Sequence, residues 1–133
     1  MIDKQIISNG VDIVKVSRIE KIINGKHKSL FLKKIFTEKE IDYFESTMFS
    51  PQSISGYFAA KEATMKAIGK GMNKIKFKDI EIIKDSENKP FIKLHGNAKI
   101  VMKENNIHDF KLSISHEKEY AIAFVIATST NKV

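Results

Sequence analysis

An α+β fold is predicted for this chain, and three observations predict it. Helix-period apolar patterns with start and stop signals occupy residues 17–71. From Asp79 onward the pattern changes to short alternating runs separated by turn-forming clusters. The last two runs stand at hairpin spacing, which favours antiparallel pairing over a doubly wound parallel sheet. The expected architecture is a mainly antiparallel sheet packed against one long central helix. At 133 residues the chain is read as one domain, 1–133, with a core large enough to fold without staples.

Residues 6–16 are rich in β-branched side chains and read as extended, with a break near Asn9-Gly10. Ser17 is the expected N-cap of a helix through Ile23, with Glu20 at its third position and Asn24-Gly25 as its stop. A short helix over 29–34 follows, and Thr37 caps another, with Glu40 three residues on. Ser50-Pro51 and Ser53 open the long central helix, which is expected to run to about Lys70 and stop at Gly71. The runs around Ile80-Ile82 and after Pro90 form a strand pair joined by a turn over 85–89. Residues 97–105 read as a modest helix, 111–127 as a hairpin turning at 117–119, and the polar tail after Thr128 as frayed.

Bulk properties narrow the function classes. With no cysteine, neither a disulfide framework nor a thiolate metal site is available. The longest apolar run, 120–127, is about a third of a membrane span, and no leader-like segment opens the chain, so a cytoplasmic protein is expected. Lys and Arg number 23 against 16 Asp and Glu, a formal charge of +7, which points to anionic partners. Nucleic acid is the reflex reading, yet Arg18 is the sole arginine and no recognition motif accompanies it. Nucleotide-bearing coenzymes and acidic proteins suit the same charge.

The most informative stretch is Phe58-Ala59-Ala60-Lys61-Glu62-Ala63-Thr64-Met65-Lys66-Ala67-Ile68-Gly69. Four helical residues turn about 400°, so Glu62 and Lys66 share a face, where a carboxylate and an ammonium can hold a divalent metal and a phosphate together. Taken alone, this spacing is also that of the commonest surface ion pair on helices. Asp12 interrupts a strand-like run and alternates away from Val11 and Ile13, which makes it a site residue, a partner contact, an exposed strand position or a cap for the segment after it. In Leu112-Ser113-Ile114-Ser115-His116, alternation turns His116 toward the Leu112/Ile114 side, while its place at a hairpin mouth admits a ligand; both readings stand.

Together and in this order, Gly10-Val11-Asp12-Ile13, Arg18-Ile19, residues 35–41, Phe58 through Gly71, Asp79-Ile80-Glu81-Ile82, Lys89-Pro90, and Ser113-Ile114-Ser115-His116 with Tyr120-Ala121 resemble the holo-acyl-carrier-protein synthase family of phosphopantetheinyl transferases. The resemblance covers most of the chain. It implies the 4′-phosphopantetheinyl transferase-like fold and transfer of the 4′-phosphopantetheine arm of coenzyme A to a serine of apo acyl carrier protein, in fatty acid biosynthesis. It implies Mg²⁺ held by Asp12 and Glu62, with Asp12, Glu62 and Lys66 as the catalytic set. Lys66, His116, Ser115, Gly69, Lys89 and Pro90 are implied contacts to coenzyme A, and Arg18, Lys21, Lys26 and Lys28 to the acidic carrier. A homotrimer with sites between subunits is implied as well. Tyr57 stands where the family often has an arginine, and Gly10 alone remains of its N-terminal glycine pair. Two other classes are kept beside the enzyme: a non-catalytic relative that docks carrier or coenzyme A, and a basic nucleic-acid-binding domain.

Overall fold

The structure, a computed structural model, describes residues 2–132. A 14-residue strand β1 (Ile2–Lys15) opens the chain and runs directly into helix α1 (Val16–Ile23). Helices α2 (Lys28–Ile35), α3 (Glu38–Ser46) and the long α4 (Pro51–Ile68) follow. Two 3₁₀ turns, Met72–Lys74 and Phe77–Asp79, lead to the hairpin β2 (Ile80–Lys84) and β3 (Pro90–Leu94). Helix α5 (Asn97–Glu104) precedes the second hairpin, β4 (Asp109–His116) and β5 (Tyr120–Lys132). The larger sheet is antiparallel in the order β1-β5-β4, and α4 packs across its inner face.

Four boundaries depart from the expected ones, each for a local reason. Strand β1 begins at Ile2, and its irregularity lies between Ile6 and Ser8, not at Asn9-Gly10. Helix α1 starts one residue before Ser17; its N-cap is Lys15, and the free N–H of Val16 donates to Glu119 O at 2.8 Å, so the β4–β5 turn does the capping. Helix α4 stops at Ile68 because Gly69 leaves helical geometry at φ 71°, two residues ahead of Gly71. The tail beyond Thr128 is paired: residues 129–132 form a two-stranded ribbon with residues 2–5, beyond the edge where β4 begins at Asp109.

The caps at Thr37 and Ser50 are as expected. Thr37 Oγ1 accepts from Glu40 N while Glu40 Oε1 accepts from Thr37 N at 2.9 Å, a closed capping box. Ser50 accepts from Ser53 N ahead of Pro51.

Strand β1 and helix α4 touch backbone to backbone. A Cβ on Gly10 would lie 2.0 Å from Ala63 O and 2.8 Å from Ala67 N. The helix answers with Ala59, Ala63 and Ala67, all buried, so no bulky side chain separates the two elements. On the far side of the sheet the apolar residues face outward: Val11 and Ile13 are 50% and 62% exposed, opposite Phe124 and Ile122 on β5.

Candidate functional site

The close approach at Gly10 brings Asp12, two residues on and on the same face, up to α4. Lys66 Nζ donates to Asp12 Oδ1 at 3.1 Å and to Val11 O at 3.0 Å. Asp12 Oδ2 is buried and has no hydrogen-bond partner. Glu62, one turn before Lys66, sits beside Asp12: burial first, then the neighbouring Asp12 carboxylate, raise the Glu62 carboxyl above the usual glutamate range. Lys66 and Arg18 oppose that rise without cancelling it. Two adjoining carboxylates, one with an orphaned buried oxygen, make an incomplete set of hard oxygen donors next to a fixed ammonium. Such a set suits a small divalent cation that keeps several positions for water and substrate oxygens. Among the described residues no cluster of three or more His, Cys, Asp or Glu side chains offers a fuller cage.

Of the four candidate carrier contacts, three share one groove. Arg18, Lys21 and Lys26 line a depression of about 560 Å³ with Ser17, Ile22, Gly25 and His27. The Arg18 guanidinium lies 5.8 Å from the Phe58 ring centroid, which holds it between the groove and Glu62. Lys28 turns away; its ammonium stacks 3.6 Å over Phe49.

The candidate coenzyme contacts divide. His116 and Pro90 meet in a cleft of about 200 Å³ with Tyr43, Ser53, Gly56, Tyr57, Lys84, Asn88 and Ile114. His116 is on the Leu112/Ile114 side, as alternation requires, but at the strand's end it is exposed and not a core histidine. Lys84 adds a cation that was not singled out from sequence, donating to Tyr43 Oη at 2.8 Å. Tyr57 stacks on Tyr43 with centroids 5.4 Å apart and planes 9° off parallel. Burial first, then the charges of Tyr43 and Glu40, hold the Tyr57 phenol well above its usual range. Ser115 points the other way, opposite Ile122 on the outer face of the sheet. Lys89 is exposed in the β2–β3 turn, its N–H given to Asp85 Oδ1 at 2.9 Å. Gly69 caps α4 one turn beyond Lys66. Tyr57 and Glu62, five residues apart, are about 140° apart around α4, so the cleft and the carboxylates open on different faces of the same helix.

Comparison with known proteins gives the class first. The sequence profile of the 4′-phosphopantetheinyl transferase superfamily matches residues 8–125, and the chain belongs to that superfamily. Within it, the chain is 48% identical over 124 residues to the holo-[acyl-carrier-protein] synthase of Clostridium tetani, covering 91% of this chain and 94% of that one. The crystal structure of the Plasmodium yoelii holo-ACP synthase superposes with a TM-score of 0.82 at 37% identity, covering 97% of this chain and 99% of that one. The Helicobacter pylori holo-[acyl-carrier-protein] synthase in complex with coenzyme A gives 0.77 at 38% identity, covering 90% and 98%.

Proposed function

We propose that this chain, as a single transferase domain over 1–133, moves the 4′-phosphopantetheine of coenzyme A onto a serine of apo acyl carrier protein. Adenosine 3′,5′-bisphosphate is released. The observation that carries the reading is the meeting of Asp12, Glu62 and Lys66 at the β1–α4 contact, in a chain 48% identical to a holo-[acyl-carrier-protein] synthase.

The carrier serine oxygen attacks the phosphorus that bears the pantetheine, and the bond to the bisphosphate oxygen breaks. Little covalent work is left to the protein beyond orientation and charge neutralisation. Glu62 accepts the serine proton, directly or through an intervening water. Lys66, tethered to Asp12 Oδ1 and Val11 O, presents its ammonium to the pyrophosphate. Asp12 and Glu62 would hold Mg²⁺, which when bound neutralises charge building on the phosphates. Arg18, Lys21 and Lys26 receive an acidic carrier beside Glu62, and opposite charge speeds the encounter.

The cleft of His116, Pro90, Lys84 and Tyr43 takes the nucleotide end of coenzyme A; at about 200 Å³ it holds a phosphate or part of a nucleotide and not the whole molecule. Because it opens away from the carboxylates, a complete site forms when the cleft of one copy faces the carboxylates of another. The outward apolar face of Val11, Ile13, Ile122 and Phe124 supports that self-association, as a homotrimer. Among the described residues no helix is long and apolar enough to cross a membrane, and the protein is assigned to the cytoplasm, where carrier and coenzyme would meet it.

Intact-mass spectrometry of apo acyl carrier protein incubated with this protein, coenzyme A and Mg²⁺ tests the reading. A gain of one phosphopantetheine, abolished by chelator, is expected. Failure with several apo carriers, while coenzyme A still binds, would overturn turnover in favour of a binding-only relative.

A further inference from the structure

A second charged pair lies behind the site and takes no part in the chemistry above. Lys61 and Glu40 are wholly sealed from solvent, with Nζ 2.8 Å from Oε1. All three ammonium protons are spoken for: Glu40, Phe77 O at 3.0 Å and Ile80 O accept them. Glu40 in turn accepts from Thr37 N and, through Oε2, from Ile82 N at 2.9 Å. Burying two charges costs so much desolvation that well-packed apolar residues are often as stable. Such a pair supplies position instead. Only one location of the ammonium satisfies three acceptors, and these belong to α3, the Phe77–Asp79 turn and the start of β2. Lys61 therefore pins the rotation and height of α4 against that half of the molecule.

The next residue is Glu62. It leaves the helix about 100° from Lys61, toward β1, where Asp12 waits. The geometry points to Lys61, together with Glu40, as a positioning residue for the transferase site: their bond sets the rotation of α4 that aims Glu62 and Lys66 at Asp12. The inference rests on the transferase reading above. Side-chain tips stand about 5–6 Å from a helix axis, so a turn of about 10° displaces the Glu62 carboxylate by about 1 Å. A misplacement of that size costs about 100-fold in rate.

The double variant Glu40→Leu/Lys61→Met replaces the pair by apolar residues, and Glu40→Asp keeps the charges but shortens the reach. Each is compared with wild type by calorimetry, by kcat and KM in the holo-carrier assay, and by Mn²⁺ affinity from electron paramagnetic resonance. The double variant is expected to melt near wild type while kcat falls at least 10-fold and Mn²⁺ binding weakens. KM for carrier, which docks on α1, stays put. Should the double variant fail to fold, Glu40→Asp carries the same expectation. Wild-type kcat and Mn²⁺ affinity in a folded variant of either kind would overturn the inference and leave the pair a structural element only. If wild type itself transfers nothing, the transferase reading fails, and Mn²⁺ affinity alone decides whether Lys61 positions the carboxylates.

Discussion

Replacing Gly10 by alanine tests whether the backbone contact between β1 and α4 builds the site. Gly10 lies in extended strand geometry that alanine adopts freely, so any loss comes from the contact and not from backbone strain. The new methyl carbon would meet Ala63 O at 2.0 Å, whereas ordinary van der Waals contact begins at 3.4 Å. Strand and helix must part by about 1.4 Å, since the obstruction is a carbonyl that no side-chain truncation can trim. Asp12 travels with the strand and Lys66 with the helix, so their 3.1 Å hydrogen bond opens beyond bonding distance. Overpacking of this kind costs about 1–3 kcal/mol in stability. A displacement of about 1 Å between reacting groups costs about 100-fold in rate. Time-resolved mass spectrometry of holo-carrier formation gives kcat/KM, and thermal unfolding gives stability. A variant with kcat/KM within about twofold of wild type would show that the contact does not set the geometry.

Three further outcomes are expected. Glu62→Gln should abolish transfer while sparing carrier binding, and should raise the melting temperature of the metal-free protein, because a carboxyl raised on folding is penalised when ionised at neutral pH; unchanged turnover would exclude Glu62 as the base. Thr37→Val removes the α3 cap and the hydroxyl that donates to Glu81 Oε2 at 2.6 Å, at a cost of about 1–2 kcal/mol. Burial pushes Glu81 up, but hydrogen bonds from Thr37 and His95 leave it below the ordinary range. Its contribution is therefore present above an unfolded pKa of about 4.3 and lost as pH falls through the lower folded value, so part of the variant's deficit at pH 7 should vanish in acid calorimetry. Phe124→Asp places charge on the outer sheet face and, if the proposed self-association uses that face, should sediment as a monomer where the unsubstituted protein sediments as a trimer, with transfer lost; a variant that assembles as the unsubstituted protein does would assign that face another role.

Local signals were the most legible part of the chain. Thr37 with Glu40, Ser50 with Pro51, and the turn at 85–89 each carry their chemistry within a few residues, and each formed as expected. Long-range pairing was not legible: the polar tail after Thr128 looks frayed until residues 2–5 are found beside residues 129–132. Asp12, Glu62 and Lys66 could be named from their motifs, but only the fold brings a strand near one end of the chain against the central helix. The buried ion pair left a trace that periodicity could have caught. Lys61 falls on the helical stripe of Ile54, Phe58, Met65 and Ile68, and Glu40 lies one turn before the buried Phe44, where an isolated charge must find a partner. Tyr57 reads as a departure where the family often has an arginine; in three dimensions it stacks on Tyr43, and Lys84, bonded to the same Tyr43, is the cation of that cleft.

The pairing of β1 with β5 has a further bearing on how the chain comes to exist. From Ile2↔Lys132 to Lys15↔Tyr120, nearly the whole sequence separates the partners. During synthesis the five helices can form soon after they emerge, whereas the first strand must wait for the last before its ladder closes. Contacts of such separation slow folding, because the intervening chain has to be ordered before they are gained. Throughout that interval the inner face of β1, including Gly10 and Asp12, has no sheet to hold it against α4. The geometry of the candidate site is thus among the last things this polypeptide acquires, and a chain whose synthesis stops short of residue 120 would have its helices but not the strand that seats β1.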